Sequence, residues 1–215
     1  MIKLYSYWRS SAAYRVRIAL NLKELEHEIV SVSLAPGRGE HRQAAYLAIN
    51  PQGLVPFLQD GNVAIGQSQA ILEYLEEEYP LKPLLPPDIG GRAFVRQIVD
   101  IICCDIHPLD NLRVLKYIKN DLGVTEEQKN SWYAHWIHAG FAAIEKILTE
   151  AGRPGPYCFG EQVTLADLCL VPQVYNAQRF NVPLDAFPGI AGIAGRCNAL
   201  GAFEAARPEA QADAE

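Results

Sequence analysis

The sequence predicts an α/β plus all-α fold, a small N-terminal α/β domain followed by an all-helical C-terminal domain. Three observations predict it. Short apolar or β-branched runs alternate with helical patterns up to residue 80. Pro80, Pro83, Pro86 and Pro87 then punctuate a linker. Beyond them the strand signal disappears and only helical periodicity remains.

Residues 2–5 read as a strand, and residues 11–23 as a helix with Val16, Ala19 and Leu20 on one face. Residues 28–32 are β-branched and strand-like. Pro36-Gly37-Arg38-Gly39 breaks the chain before a short irregular or helical piece at 40–47. Residues 55–59 and 63–65 flank Asp60-Gly61-Asn62, a hairpin signal. Gln67-Ser68 opens a helix to Tyr79, with Ser68 as N-cap candidate. One parallel βαβ unit followed by a hairpin and a covering helix describes a thioredoxin-like layer.

The second half reads as a long helix over 92–123 interrupted at Pro108, a second over 126–151, and a Pro/Gly loop at 152–160. A helix over 164–179 follows, where Thr164 and Asp167 fit a capping box. A last short helix covers 190–200, and the Ala/Glu-rich tail after Arg207 reads as mobile. The expected division is 1–81, a linker at 82–91, and 92–215.

The net charge of −6 disfavours nucleic acid or an anionic membrane as partner. No apolar stretch approaches the roughly 20 residues of a membrane span, and the chain opens directly on a strand with no signal-like core. A cytoplasmic location is expected. The five cysteines are scattered with no C-x-x-C pair, so they read as buried reduced thiols. His135 and His138 lack a third ligand at a matching offset and read as surface or packing residues, so no metal is expected.

Ser10 and Ser11 stand between the first strand and the first helix, where unpaired N–H groups and the helix dipole favour an anion. A thiolate suits that place, and no cysteine precedes residue 103 to supply it. Taken alone, the serines are ordinary N-caps. Val55-Pro56 precedes a strand at a point where proline removes a ladder donor. A cis bond there turns the Val55 backbone toward an extended peptide, while a trans bond is the default for such a pair. Gln67 and Ser68 can hold a carboxylate at a helix start or simply cap the helix.

These motifs are shared with a known family. The run Ser10-Ser11-Ala12-Ala13-Tyr14-Arg15-Val16-Arg17-Ile18-Ala19-Leu20, with the blocks NPQGLVP (50–56), Gln67-Ser68, DIHPLDN (105–111) and TLADLCLVPQV (164–174), resembles the cytosolic glutathione transferases, and within them the zeta class. The resemblance covers essentially the whole chain and implies the cytosolic glutathione transferase fold, a homodimer, and glutathione as cofactor. It implies that Ser10, with Ser11 in support, hydrogen-bonds the glutathione sulfur. It further implies that Val55, beside a cis Pro56, pairs with the cysteinyl backbone, that Gln67 and Ser68 hold the γ-glutamyl carboxylate, and that His41 touches the glycyl end. His107 then binds glutathione or substrate. A free thiol ionises near pH 8.5, and a drop of about two units equals roughly 2.7 kcal/mol of thiolate stabilisation.

Zeta-class proteins are typically maleylacetoacetate isomerases, and similar bacterial proteins are maleylpyruvate isomerases. The implied reaction is reversible thiolate addition to a cis double bond, rotation and expulsion, giving the fumaryl isomer. The substrate is a small dicarboxylate-type keto acid, so local arginines are needed. Arg9 and Arg179 occupy matched positions and are the catalytic candidates, and Arg113 is a further substrate-binding candidate. Arg15 and Arg17 read as helix-surface or interdomain salt-bridge residues. Ala12 departs from the pattern, since many members carry cysteine there. It removes a second thiol but leaves the hydroxyl donor. A general transferase conjugating electrophiles and a non-catalytic interaction module remain as alternatives. An apolar second pocket would favour the transferase, and loss of the serine or of the Gln67-Ser68 pair would favour the module.

Overall fold

The computed structural model describes residues 1–215. The chain forms two compact units, Met1–Pro83 with Ala199–Glu215, and Leu84–Asn198. The break falls inside the expected linker, but residues 199–215 join the first unit and not the helical one.

In the first unit β1 (Ile2–Ser6) leads to α1 (Ser11–Leu22) and then β2 (His27–Ser31). A 3-10 turn at Glu40–Arg42 and the single turn α2 (Ala44–Leu47) precede β3 (Phe57–Asp60), β4 (Val63–Gly66) and α3 (Ser68–Glu78). The sheet order is β2-β1-β3-β4. β1 and β2 pair in parallel through a helical crossover, and β1-β3 and β3-β4 are antiparallel. Alternation sends Leu4 and Leu58 into the core, both fully buried.

The sequence shows one apolar stripe on α1, yet every residue from Ser11 to Leu20 is buried. The helix packs against α3 and against α9 (Gly201–Ala206), which lies near the end of the chain. Phe203 and Ala206 are buried, and α1 reaches across to this segment through Tyr14, Arg17 and Asn21, which donate to the carbonyls of Phe203, Ala206 and Ala202. Of the tail after Arg207, expected to be mobile, Pro208 is buried and Asp213 accepts from the Trp8 N–H, while the other residues are partly or fully exposed. Lys23, at the end of α1, forms a buried ion pair with Glu76 at 2.9 Å and donates to the Tyr79 carbonyl at 2.8 Å.

The second unit is all helical: α4 (Ile89–Asp100), α5 (Leu112–Asn120), α6 (Glu126–Glu150), α7 (Leu165–Arg179) and α8 (Pro188–Asn198). The long helix expected over 92–123 is broken differently. After Asp100 it widens into a π-helical turn, Ile101–Ile106, closed by His107 N–H on the Ile102 carbonyl at 2.9 Å. Pro108 has no N–H with which to continue, and the chain restarts at α5 with Asn111 as N-cap. Gly140 on α6 faces Ile106 so closely that any Cβ would overlap its side chain. α7 runs through the centre, with Leu168, Cys169 and Leu170 fully buried, and packs on α4 and α8. No helix is long and apolar enough to cross a membrane.

Candidate functional site

The sheet register gathers three chain ends at one edge. Tyr5, near the end of β1, pairs with Phe57 at the start of β3, and Phe57 pairs with Gly66 at the end of β4. The segment leading to Ser10, the Val55-Pro56 pair and the Gln67-Ser68 pair must therefore leave the sheet side by side. Three of the motifs found in the sequence converge there because the hydrogen-bond ladder brings them together.

Ser10 is the N-cap of α1, and its hydroxyl oxygen accepts from the Ala13 N–H at 3.2 Å. Its proton is thereby left to donate to an anion in front of the helix. Ser10 is half-buried, whereas Ser11 is buried as the first helical residue, so Ser10 is the more accessible of the two.

The Val55-Pro56 bond is cis, as anticipated. The loop before it is held by its own side chains. Asn50 accepts from the Gln52 N–H and donates to the Leu54 carbonyl at 2.8 Å, and Tyr46 donates to the same carbonyl at 2.6 Å. Gly53, at φ 59°, brings this turn against the His41 carbonyl, where a Cβ would lie 2.8 Å away. The β3 ladder starts at Phe57, so the Val55 N–H and C=O stand outside it.

Gln67, not Ser68, is the N-cap residue of α3. It stands at φ 68° and ψ 115°, a conformation rarely adopted by residues with side chains and found where surroundings over-determine it. Its amide donates to Gln52 at 2.8 Å. Ser68 is buried and accepts from Arg15 Nη1 at 3.1 Å, which leaves its own proton for another acceptor. His41 is buried in the 3-10 turn, its Nδ1 3.4 Å from the Ser33 carbonyl. Arg9 stacks on Trp8, its guanidinium carbon 4.3 Å from the ring centroid.

Arg15 and Arg17 differ from expectation. Both are almost wholly buried. Arg17 donates to Ser6 Oγ, to the Tyr7 and Trp8 carbonyls and to the Ala206 carbonyl. The cause is the burial of α1 on all sides, which sets these guanidiniums among hydroxyl and carbonyl groups. The one sequence signal was the lack of any polar face on α1.

In the second unit, His107 closes the π-helical turn and is half-buried. Arg113 is exposed at the start of α5, and its N–H donates to the Asn111 cap. Arg179 is exposed in the last turn of α7, its guanidinium 4.9 Å from the Phe180 ring. Cys158, Cys169 and Cys197 are buried as expected, but Cys103 is partly exposed and Cys104 exposed on the π-helical turn. His135 and His138 pack edge-on or tilted against Trp136 and Phe187. No group of three or more His, Cys, Asp or Glu side chains converges as a metal site.

One residue here was not singled out from the sequence. Asp110 is buried and neither carboxylate oxygen has a partner; burial pushes its pKa up from 3.8 to about 8. In the unfolded chain it ionises at the ordinary value, so the folded state binds the extra proton between these limits. Its effect on stability is therefore most favourable below about pH 4 and worsens as pH rises toward about 8. Asp110→Asn is expected to raise unfolding free energy by about 1–3 kcal/mol at pH 7. That gain should vanish near pH 4, as urea titrations at the two pH values would measure.

Comparison with known proteins places these features. Residues 4–83 match the family described as glutathione S-transferase, N-terminal domain. The probable maleylacetoacetate isomerase of Vibrio cholerae is 48% identical over 98% of this chain and 97% of its own. The maleylpyruvate isomerase of a Ralstonia species is 47% identical over 99% of each. A holo structure of a maleylpyruvate isomerase, described as a bacterial zeta-class glutathione S-transferase, superposes with a TM-score of 0.96 at 46% identity, covering 99% of this chain and 100% of that one. A maleylacetoacetate isomerase from Methylobacterium extorquens, solved with bound malonate and glutathione, gives 0.94 at 37% identity over 99% of each. With identities of this size along nearly the full length of both chains, the protein belongs to the glutathione transferases and, within them, to the zeta class.

Proposed function

We propose that this protein is a glutathione-dependent cis–trans isomerase that converts maleylacetoacetate to its fumaryl isomer in the breakdown of aromatic compounds. The observation that carries the reading is the convergence of the Ser10 helix cap, Val55-Pro56 and Gln67-Ser68 at one sheet edge. The residues fit glutathione. Ser10 and Ser68 each have a hydroxyl proton left to give, and Val55 offers a backbone donor and acceptor outside the ladder.

Bound there, glutathione would supply a nucleophilic thiolate for reversible addition to the cis double bond. Ser10 donates to the sulfur and, with the α1 N-terminus, favours its ionised form at neutral pH. Ser11 supports that turn. Val55 pairs with the cysteinyl backbone, Gln67 and Ser68 hold the γ-glutamyl carboxylate, and His41 serves the glycyl end. Arg9 and Arg179 bind the substrate carboxylates and stabilise oxygen charge as it develops, with His107 and Arg113 completing substrate recognition. The working form is a homodimer in the cytoplasm.

Maleylpyruvate is the second reading, favoured by the relatives and solved structures of that name. Each substrate is to be mixed with the protein and substoichiometric glutathione, following loss of enol absorbance. Turnover of maleylacetoacetate is expected. Turnover of maleylpyruvate alone would shift the assignment to that substrate, and turnover of neither would remove the isomerase assignment.

A further inference from the structure

Asp213 lies far from Ser10 in sequence, yet it meets the turn that carries Ser10. One carboxylate oxygen, Oδ2, accepts from the Trp8 N–H at 3.1 Å and from the Ser31 hydroxyl at 2.8 Å. Trp8 sits inside the turn from Tyr7 to Ser10, which is closed by the Ser10 N–H on the Tyr7 carbonyl at 2.9 Å. Arg17 holds the carbonyls of the same turn, at 3.4 Å for Tyr7 and 3.0 Å for Trp8. The turn is thus gripped from both sides, its carbonyls by α1 and its Trp8 amide by the chain's last residues. The Trp8 ring also carries the Arg9 guanidinium. A displacement of Trp8 would therefore move two of the groups assigned to the reaction, Ser10 through the turn and Arg9 through the ring.

We infer that Asp213 is a positioning residue for the isomerase: it fixes Trp8 so that the Ser10 hydroxyl meets the thiol and Arg9 meets the substrate. The inference rests on the role given to Ser10 above. Small displacements at a reacting centre have large kinetic consequences, since a misplacement of about 1 Å can cost 10²-fold in rate. A role confined to stability would instead lower the unfolding midpoint and leave each folded molecule fully active. The two bonds converge on one oxygen, so an asparagine amide oxygen can accept both, whereas alanine can accept neither.

The test compares Asp213→Ala and Asp213→Asn with the unaltered protein, using turnover per folded molecule and the ultraviolet absorbance of the bound glutathione thiolate across pH. Asp213→Ala is expected to lower turnover about tenfold, with glutathione affinity little changed and the bound thiol ionising at higher pH. Asp213→Asn is expected to restore most of both. Glu215→Gln, which removes only the exposed pair with Arg38, is expected to change neither. Unchanged turnover and thiol ionisation in Asp213→Ala would overturn the inference, as would a loss confined to thermal stability or an equal loss in Glu215→Gln. Ser10→Ala is measured alongside. If it shifts thiol ionisation and Asp213→Ala does not, the positioning role alone fails. If Ser10→Ala shifts nothing, the Ser10 assignment fails and takes the positioning role with it.

Discussion

Replacing Ser10 with alanine is expected to lower turnover at saturating glutathione by about 10²-fold, the loss seen when one preorganised donor to a developing anion is removed. Glutathione affinity should change far less, because the proposed site gives the peptide part of the ligand to Val55, Gln67 and Ser68. Two effects must be kept apart. Ser10 also caps α1 through the Ala13 N–H, and loss of an N-cap costs about 1 kcal/mol of stability. That cost leaves a protein with an ordinary stability of about 5–15 kcal/mol folded, so it cannot by itself produce a large kinetic loss. Ser10→Thr, which keeps an oxygen and a proton at the cap, should retain much of the activity. Turnover at saturating substrate, with glutathione binding measured by calorimetry, checks both variants. Wild-type turnover in Ser10→Ala would show that the thiolate is stabilised by other groups.

The largest stability effect is expected in the other unit. Asp167→Ala should lower unfolding free energy by about 3–5 kcal/mol, a large share of the total. Asp167 lies in the first turn of α7 and is completely buried with Thr164. One oxygen accepts from the Thr164 N–H at 2.8 Å and its hydroxyl at 3.1 Å, and the other accepts from the Cys158 N–H at 2.8 Å. Removal strands two backbone donors where no water reaches them. Asp167→Asn should fall between, since its amide presents an acceptor to one of these groups and a donor to the other. Urea unfolding, monitored by circular dichroism, gives the midpoints. An Asp167→Ala midpoint within error of the parent would mean the surroundings relax enough to replace all three bonds.

Local rules carried much of the fold. The hairpin at Asp60-Gly61-Asn62, the cap at Ser10 and the Thr164-Asp167 box each depend on residues within four positions of one another, and all three are present. The site motifs were legible for the same reason, as a helix start or a residue next to proline is a short-range feature. What was not legible depends on distance. The burial of Arg17 involves the return of residues 199–215 onto α1, a contact made by residues as far apart as Arg17 and Ala206, and that of Arg15 involves Ser68 on α3. Periodicity reports that a face is apolar but not what covers it. The π-helical turn escaped because Pro108 marks where a helix must end, without fixing how the preceding turn is wound. The left-handed φ of Gln67 escaped because no glycine or asparagine announces it.

The return of α9 to α1 has a consequence for how the protein comes to be made. The first unit is discontinuous along the chain, and all of Leu84–Asn198 is synthesised before the residues that complete it. Until Phe203 and Ala206 emerge from the ribosome, the Tyr14 and Arg17 side chains lack their carbonyl partners there, and the α1 surface they cover faces solvent. The first unit can be completed only after the whole of the helical unit has been made, so the unit begun first is finished after the one begun second.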